Sequence, residues 1–288
     1  MKKIAIVSGK GGTGKTIITA SFAALAKRKV MVDCDVDAAD LHLILSPKIK
    51  EKHEFKGWKK ALIDLDICTG CGICRDICRF EAIIPDPYFH IDSISCEGCG
   101  LCSFICPLNA ITMKDNLAGE WYVSETRYGP MVHAKLGIAE ENSGKLVTLV
   151  KMNAEMIAEK GDLDYLIIDG PPGIGCPVIA TLSRADLALV VTEPTLPGIH
   201  DMERIIGVAR HFGVRVSCVI NKFDINLENS AKIENWCKSE NILFLGKIPF
   251  DEIVTHSLVK KTPVVEYYEG EVSSKIRDIW NYLEKILG

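Results

Sequence analysis

Short apolar runs recur along the chain, and each has the length of a strand buried inside a sheet. Between these runs lie longer segments whose apolar residues follow helical spacing. Strands that alternate with helices in this way predict an α/β fold with a mostly parallel, doubly wound sheet. The predicted strands are 3–8, 30–33, 164–169, 186–192, 214–220 and 243–248, and the clearest predicted helices are 17–27, 144–160, 198–212 and 272–287.

The pattern changes in the first half of the chain. Residues 46–60 contain a proline, a glycine and several lysines, which favours a linker. A cysteine-rich segment at 61–115 follows, and residues 119–134 are again rich in strand-forming side chains. We therefore predict one α/β domain formed by 1–60 and 116–288, with 61–115 inserted into it as a small α+β domain.

Eight of the twelve cysteines lie in the insertion, in two runs with the same spacing, C-x2-C-x2-C-x3-C. Each cysteine of the second run follows its counterpart by 28 positions, so the segment is an internal duplication. This is the pattern of bacterial-type ferredoxins with two [4Fe–4S] clusters, in which the fourth cysteine of each run binds the other cluster. The predicted ligand sets are Cys68, Cys71, Cys74 and Cys106 for one cluster, and Cys96, Cys99, Cys102 and Cys78 for the other.

Structural zinc and disulfides are the alternative uses of these cysteines. Zinc sites generally use two pairs of ligands rather than two evenly spaced quartets. Disulfides need an oxidising compartment, whereas the N-terminus does not resemble a signal peptide, so we expect a reducing, cytoplasmic location. Arg79 stands where the second run has Pro107, a departure from the motif that removes no ligand.

Composition and charge narrow the choice of partners. The 288 residues carry a formal charge of −4, with 48% hydrophobic and 25% charged residues. This balance gives no support for nucleic-acid binding, and no apolar run approaches the ~18 residues of a membrane span. We therefore expect neither a nucleic-acid nor a membrane partner. The amphipathic helix 272–287 has a moderate charge balance that favours packing on the sheet over membrane targeting.

The first predicted strand leads into a glycine-rich segment that fits G-x4-G-K-[ST]. Strand, glycine loop and helix in this order are the context of a P-loop, in which backbone N–H groups surround phosphate oxygens at the helix N-terminus. Lys15 would reach the β- and γ-phosphates, and the Thr16 hydroxyl would bind Mg²⁺. The predicted nucleotide-binding residues of the loop are Gly9, Lys10, Gly11, Gly12, Thr13, Gly14, Lys15 and Thr16.

The sequence of the loop, K-G-G-T-G-K-T, resembles the deviant Walker A motif of the MinD/ParA/Mrp superfamily, which includes the nitrogenase iron protein. The resemblance implies a P-loop ATPase that binds ATP or ADP with Mg²⁺ and forms an ATP-dependent homodimer. It implies that Lys10 crosses the dimer interface to the partner's nucleotide. It also implies that Asp35, in a segment that resembles switch I, helps to position water and Mg²⁺.

Downstream segments fit the same superfamily. The apolar strand that ends at Asp169 is typical of a Walker B motif, whose carboxylate holds Mg²⁺ through its water shell. The segment D-G-P-P-G resembles switch II of the Mrp branch, in which Pro171 and Gly173 would sense the γ-phosphate. Asn221 resembles the superfamily's base-recognition asparagine, and Pro249 is expected beside the base. The predicted catalytic residues are Lys10, Lys15, Asp35 and Asp169.

Cys176 lies seven residues after Asp169, the offset of a cluster-binding cysteine in the nitrogenase iron protein. The second cysteine of that bridging cluster should fall in 140–145, which contains none. An inert packed thiol, a redox or cluster-transfer thiol, and a bridging ligand all stay open. Cys34 is expected at a strand end, and Cys218 and Cys237 in the core.

Three functions are compatible with these motifs. The first is an iron–sulfur ATPase that couples ATP binding and hydrolysis to electron transfer from its ferredoxin clusters to a partner. The second is an ATP-dependent iron–sulfur carrier or assembly factor of Mrp type, with an iron–sulfur acceptor protein as its partner. The third is a regulatory or partitioning ATPase whose clusters sense redox state. Because both cysteine quartets are complete, the first is favoured.

Overall fold

The computed structural model describes residues 1–86, 88–140 and 142–288. The chain divides into two compact units. The larger unit comprises Met1–Lys52, Trp121–Lys135 and Ser143–Gly288, and the smaller unit comprises His53–Glu120 and Leu136–Asn142. The smaller unit thus contains the predicted insertion 61–115 and takes in residues on both sides of it.

Strands and helices alternate through most of the described chain. The strands are β1 (Lys2–Ser8), β2 (Lys29–Asp33), β3 (Lys48–Lys56), β4 (Lys60–Ile63), β5 (Ile83–Ile84), β6 (His90–Ile91), β7 (Ile111–Lys114), β8 (Leu117–Thr126), β9 (Gly129–Leu136), β10 (Tyr165–Pro172), β11 (Leu187–Thr192), β12 (Arg215–Asn221) and β13 (Leu243–Ile248). The helices are α1 (Lys15–Leu25), α2 (Leu41–Leu45), α3 (Ile73–Ile77), α4 (Leu101–Ile105), α5 (Ser143–Lys160), α6 (Cys176–Leu182), α7 (Leu196–His211), α8 (Leu227–Ser239), α9 (Ile253–Val259), α10 (Val264–Tyr267) and α11 (Glu271–Leu287), with a 3-10 turn at Phe223–Ile225.

In the part of the chain that the structure describes, the main sheet has nine strands in the order β13-β12-β11-β1-β10-β2-β9-β8-β3. All neighbours from β13 to β9 run parallel, which confirms the predicted α/β fold with a mostly parallel sheet. β11, β12 and β13 lie on one side of β1, and β10 and β2 lie on the other, so the strand order reverses at β1. Open sheets of this kind bind ligands at the carboxyl ends of the strands near that reversal.

The side chains of β1 show why helices cover both faces of the sheet. Ile4 and Ile6 belong to one apolar cluster, together with side chains of α1, α2, α10 and α11. Ala5 and Val7 belong to a second cluster, with side chains of α6, α7 and α8. Successive side chains of a strand point to opposite faces. A strand that is apolar at every position is therefore stable only where both faces are covered.

The C-terminal helix α11 packs on the first of these faces. Its buried side chains include those predicted from the sequence: Ile276, Ile279, Trp280, Leu283 and Leu287. The ring centroid of Trp280 lies 5.0 Å from that of Phe22 and 5.5 Å from that of Tyr165. The predicted packing of this helix on the sheet is thus confirmed. None of the helices in the described residues combines the length and the hydropathy that crossing a bilayer requires.

Helices α5 and α6 are joined by a buried lysine. Lys151 of α5 donates hydrogen bonds to the carbonyls of Ala180 (2.8 Å), Thr181 (2.6 Å) and Ser183 (2.7 Å) at the C-terminal end of α6. The last carbonyls of a helix have no partner within it, and a cation there interacts favourably with the helix dipole. The contact fixes the end of α6 against α5.

The prediction of a linker at 46–60 is wrong. β3 occupies Lys48–Lys56 at the edge of the main sheet, and β4 begins at Lys60. Most side chains of β3 are exposed, and lysines alternate along it. Charged side chains, lysine above all, protect a sheet edge from pairing with other chains. The residues that suit this strand to an edge are therefore the ones that gave it the composition of a linker.

The smaller unit contains the antiparallel pairs β4–β7 and β5–β6 and the helices α3 and α4. Its small core includes several of the cysteines. The backbone repeats with the sequence: Gly72 and Gly100 precede α3 and α4 with φ of 80° and 76°. Glycine adopts this left-handed conformation without the strain that a Cβ would cause. The duplicated motif is thus a duplicated structure.

The buried thiols of the larger unit are packed as expected. Cys34, Cys218 and Cys237 have no exposed surface. Cys34 directly follows β2, Cys218 lies on β12 and Cys237 lies on α8. The predicted positions of these three cysteines, one at a strand end and two in the core, are confirmed.

His133 of β9 is buried among polar and aromatic side chains. Its Nε2 lies 3.0 Å from Ser124 Oγ, and its ring centroid lies 5.0 Å from that of Tyr122 and 6.1 Å from that of His42. Burial, with a contribution from His42, lowers the pKa of His133 to about 4. The folded chain therefore disfavours the protonated ring, whereas the unfolded chain protonates it near the ordinary value of ~6.5.

We predict that His133 makes the fold less stable as the pH falls from about 6.5 to about 4. The unfolded chain binds the proton first, so this residue should lower the free energy of unfolding by about 3 kcal/mol over that interval. Denaturant unfolding at several pH values measures the loss. His133→Gln should remove this part of the slope, and the exposed His256→Gln should retain it. Equal slopes in wild type and His133→Gln would contradict the prediction.

Candidate functional site

The parallel strands of the main sheet have their carboxyl ends on one side, and the residues predicted to bind the nucleotide and Mg²⁺ lie on that side. In the register of the sheet, Asp33 at the end of β2 lies opposite Asp169 of β10. On the other side of β1, Glu193 directly follows β11 and Asn221 ends β12. Because all these strands are parallel, their carboxyl ends bring these side chains to the same crevice.

The segment between β1 and α1 forms an open loop. Gly12 and Gly14 have φ of 78° and 88°, and α1 begins at Lys15. A Cβ at Gly12 would meet nothing within 4 Å, whereas a Cβ at Gly14 would lie 2.3 Å from Asn221 Nδ2. Within the described part of the chain, the buried hydroxyl of Thr13 has no hydrogen-bond partner. An open glycine loop with an unsatisfied hydroxyl at a helix N-terminus fits a bound phosphate.

Lys15, Thr16 and Asp169 come together at the start of α1. Lys15 and Asp169 are both buried. Burial raises the pKa of Asp169, whereas the charge of Lys15 and hydrogen bonds from Thr16 and Thr19 lower it. The structure therefore brings together the hydroxyl and the carboxylate that were predicted to bind Mg²⁺. Oxygen donors of these two kinds suit that ion.

Sequence reasoning missed Thr19. Its Oγ1 lies 2.9 Å from Asp169 Oδ1 and 3.0 Å from the carbonyl oxygen of Lys15. Residues four apart lie on the same face of a helix, so the spacing of Thr19 from Lys15 is the signal that could have identified it. Thr19 helps to fix the position of the Asp169 carboxylate.

Two further aspartates lie near Asp169. Asp33 is fully buried, and burial together with the charge of Asp169 raises its pKa well above the usual range. Its carboxylate accepts hydrogen bonds from the N–H groups of Asp35 (3.1 Å) and Leu41 (3.2 Å). Burial raises the pKa of Asp35 to about 6, with the charge of Lys15 opposing the shift. The predicted Asp35 thus lies within the electrostatic reach of this group, and Asp33, which was not predicted, holds its backbone.

The D-G-P-P-G segment continues β10, which extends to Pro172. Pro171 is buried, and Gly173 has a φ of 91°. The N–H of Gly173 donates to the carbonyl of Ser8 at 2.9 Å. A Cβ at Gly173 would meet nothing within 4 Å. One backbone hydrogen bond therefore joins this segment to the strand that leads into the glycine loop.

Lys10 is engaged within its own chain. Its ammonium forms an ion pair with Glu193 and lies 3.2 Å from Thr195 Oγ1. Lys222 Nζ lies 3.4 Å from the same carboxylate and donates to the carbonyl of Gly12 at 3.1 Å. Glu193, Thr195 and Lys222 were not predicted as site residues. The signal for Glu193 is its position directly after a buried parallel strand.

Asn221 makes its contacts with the glycine loop. Its Nδ2 donates to the carbonyl of Thr13 at 2.8 Å, and its side-chain oxygen accepts from the next backbone N–H at 3.1 Å. Pro249 follows β13, and the N–H of Phe250 donates to Asp224 at 2.8 Å. The structure therefore brings the segment after Pro249 to residues 221–224 and assigns the Asn221 amide a contact with the loop backbone.

The eight cysteines of the smaller unit line two cavities. One cavity is lined by Cys68, Cys71, Cys74 and Cys106, and the other by Cys78, Cys96, Cys99 and Cys102. These combinations coincide with the two predicted ligand sets, and each includes the fourth cysteine of the opposite run. The N–H of Ala110 donates to Cys106 Sγ at 3.3 Å. Hydrogen bonds to sulfur are among the factors that set cluster potentials.

Among the described residues, no group of three or more His, Cys, Asp or Glu side chains is arranged as a site for a metal ion. A [4Fe–4S] cube makes a different demand, because each cysteine binds a different iron and the four sulfurs surround the cluster. Four thiols around one cavity, with apolar side chains between them, are a donor set that fits such a cluster. The ligand roles of the eight cysteines remain predictions.

Cys176 is exposed at the first residue of α6. The packing that the first alternative assumes is therefore not observed, and the reactivity of the thiol stays a prediction. A Cβ at Gly144, near the start of α5, would lie 3.2 Å from the Cβ of Cys176. Glu141, in the segment where a second bridging cysteine was sought, lies outside the described residues.

The sequence and the fold are similar to those of known proteins. Residues 4–264 match the CobQ/CobB/MinD/ParA nucleotide-binding domain. An uncharacterized protein of Methanocaldococcus jannaschii is 35% identical over 291 residues, which cover 99% of this chain and 97% of that protein. A putative septum site-determining protein MinD of Guillardia theta is 25% identical, with 91% of this chain and 80% of the relative covered. The structure of MinD from Pyrococcus horikoshii with Mg-ADP matches with a TM-score of 0.62 at 19% identity, covering 100% of this chain and 97% of that one.

The hydrogen bond from Asn221 to the loop leads to a prediction about nucleotide affinity. Asn221→Ala should weaken binding of ATP and of inorganic tripolyphosphate alike, by about fivefold, because one hydrogen bond to the loop backbone is lost. Isothermal titration calorimetry measures both affinities. The exposed Asn281→Ala on α11 is the matched control and should bind both normally. A loss confined to ATP would instead assign Asn221 to base recognition.

Proposed function

Because the chain belongs to the CobQ/CobB/MinD/ParA nucleotide-binding family, whose MinD/ParA members are P-loop ATPases, we propose that it couples ATP hydrolysis to electron transfer from two [4Fe–4S] clusters to a partner protein. That the chain is an ATP-binding ATPase follows from the family. The proposal about clusters is supported by one observation above all. Four thiols line each cavity of the smaller unit, in the interleaved combination that two-cluster ferredoxins use.

The smaller unit supplies what a pair of clusters needs from a protein. In this proposal each interleaved set of cysteines holds one cluster, and the clusters supply one-electron transfer. The lining between the thiols is mostly apolar and includes Phe89 in one cavity and Phe80 in the other. The N–H group of Ala110 stabilises negative charge on Cys106. Solvent exposure and hydrogen bonds to sulfur are the means by which a protein sets the potential of a cluster.

The larger unit supplies the nucleotide site. We assign the triphosphate to the glycine loop and Lys15, and Mg²⁺ to Thr16 and Asp169, in keeping with the Mg-ADP bound by MinD of Pyrococcus horikoshii. With a pKa of about 6, Asp35 is mostly ionised at neutral pH, as a water-positioning carboxylate requires. Lys10 would act on the nucleotide of a second copy of the chain. A cation supplied in this way increases kcat by a factor of ~10³–10⁵.

The nucleotide site and the smaller unit are linked through the switch II segment, α6 and α5. Gly173 is bonded to the end of β1, and α6 begins three residues later at Cys176. The backbone of Gly144 approaches the start of α6 at Cys176 closely, and Lys151 holds the other end of α6. Gly144 and Lys151 lie on α5, whose first residue, Ser143, directly follows the second segment of the smaller unit. We propose that a change in the switch II segment reaches the smaller unit through α6 and α5.

The exposed Cys176 favours a second candidate function, an ATP-dependent carrier of iron–sulfur clusters. A thiol at a helix N-terminus that solvent can reach suits transient cluster binding better than a buried one. Incubation of the reconstituted protein with an apo-ferredoxin discriminates between the two functions. Rapid transfer that depends on ATP and is lost in Cys176→Ser would favour the carrier. Clusters that stay with the chain support electron transfer.

The cluster assignment leads to a prediction about iron content. Cys106→Ser and Cys78→Ser should each lower the iron of the anaerobically purified chain to about half, because each removes a ligand from a different set. The double variant Cys106→Ser/Cys68→Ser should lose no more iron than Cys106→Ser alone. Cys106→Ser/Cys96→Ser should lose nearly all of it.

Iron and sulfide analysis, with EPR of the reduced protein, measures these outcomes. Cys237→Ser is the control, since its thiol is buried in the larger unit. Equal iron loss in the two double variants would contradict the interleaved ligand sets. A wild-type chain without cluster signals after anaerobic reconstitution would overturn the proposal as a whole.

The nucleotide assignment leads to a prediction about two lysines. Lys15→Ala should abolish ATP turnover and leave the cluster absorbance intact, because the two sites lie in different units. Lys10→Ala should still bind ATP but lose ATP-dependent dimerisation and about a thousandfold or more in turnover. Hydrolysis at the wild-type rate by Lys10→Ala would reject its action on a second chain.

Coupling is measured by anaerobic EPR redox titration with and without ATP. ATP should shift the potential or the spectrum of the wild type, and Lys15→Ala should show no shift. A wild type whose clusters do not respond to ATP would contradict the coupling while leaving the ATPase assignment in place.

A further inference from the structure

Glu193 lies between two lysines of the nucleotide site. Its carboxylate forms an ion pair with Lys10 and lies 3.4 Å from Lys222 Nζ. Lys222 in turn donates to the carbonyl of Gly12 in the glycine loop. The side chain of Glu193 is 13% exposed, whereas those of Lys10 and Lys222 are 28% and 30% exposed. The carboxylate is thus the buried centre of a three-residue charge cluster on the rim of the loop.

The backbone around Glu193 is held firmly. Thr195 caps α7 by accepting the N–H of Gly198 at 3.1 Å. A Cβ at Gly198 would lie 2.4 Å from the carbonyl oxygen of Glu193. The same helix approaches the glycine loop so closely that a Cβ at Gly9 would lie 2.3 Å from the carbonyl oxygen of Asp201. Glu193 is therefore fixed relative to the loop that carries Lys10.

We propose that Glu193 is the positioning residue for Lys10: it holds the ammonium at a defined place on the rim, where a second chain meets an ordered cation. A lysine side chain has a flexible four-carbon stem, and its ammonium is a compact charge without fixed orientation. Lys10 and Lys222 also repel each other. A carboxylate between them offsets that repulsion and restricts the stem. This inference rests on the proposed action of Lys10 on the partner's nucleotide.

Glu193→Gln tests the role, because it keeps the shape and removes the charge. It should lower kcat by about tenfold to a hundredfold, the scale of a small misplacement of a catalytic group. The KM for ATP and the thermal unfolding temperature should stay close to those of the wild type. Glu193→Asp should recover part of the loss. Glu203→Gln, an exposed glutamate on α7, is the matched control. A higher KM for ATP or a lower unfolding temperature, with kcat unchanged, would overturn the proposal.

A double-mutant cycle shows whether Glu193 acts through Lys10. If it does, Lys10→Ala/Glu193→Gln should be no slower than Lys10→Ala alone, because the two changes remove the same contribution. Multiplied losses in the double variant would assign Glu193 a separate role and overturn the proposal. Lys10→Ala at the wild-type rate would instead reject the proposed function of Lys10, so the two failures are distinguishable.

Mixed dimers locate the effect. A Lys15→Ala chain has no functional nucleotide site, so turnover in a mixed dimer occurs only in its partner, served by Lys10 of the Lys15→Ala chain. Glu193→Gln placed in the Lys15→Ala chain should lower turnover by about tenfold or more. Placed in the nucleotide-binding chain, it should change turnover little. Equal losses from both placements, or a loss only from the second, would overturn the positioning role.

Discussion

Two buried carboxylates lie at the carboxyl ends of two neighbouring strands, and the chemistry of the larger unit depends on how their negative charge is compensated. Asp33 and Asp169 lie opposite each other in register, and burial raises the pKa of both. Lys15 provides an opposing charge, and the hydroxyls of Thr16 and Thr19 provide hydrogen bonds. A site in which negative charge is only partly balanced favours a divalent cation, and binding such a cation favours the ionised carboxylates. The same residues therefore determine both local stability and affinity for a metal–nucleotide complex.

The stability of the smaller unit is limited by its core, because it has few buried apolar side chains. Its buried residues include Ala61, Ile83 and Ile111, and the cysteines pack among them. Small domains often need a metal or covalent link to be stable. In the proposed function the clusters would serve as that link as well as carrying electrons. The duplicated sequence forms the same backbone conformation twice, with a glycine of positive φ before each short helix.

The sequence predicted those features that follow from local patterns. Strand β13 was predicted at its observed bounds because an apolar run between polar segments has few other solutions. The strand β3 was missed because its alternating lysines suit a sheet edge and a linker equally well. The cysteine sets could be predicted because their spacing is itself the constraint. The spacing of Thr19 and the position of Glu193 after a strand mark both as candidates, but their contacts depend on which strands and helices become neighbours. The exposure of Cys176 likewise depends on packing that no motif specifies.

The contacts of the glycine loop explain why residues from distant elements are needed for phosphate binding. Ser8 Oγ donates to the carbonyl of Lys10, Lys222 to that of Gly12, and Asn221 to that of Thr13. A trans peptide is planar, so its carbonyl and its N–H point in opposite directions. Tying the carbonyls of 10, 12 and 13 to side chains therefore turns the N–H groups of 11, 13 and 14 the other way, where an anion can meet them. The ends of β1 and β12 thus impose the loop's polarity, and the glycines permit it.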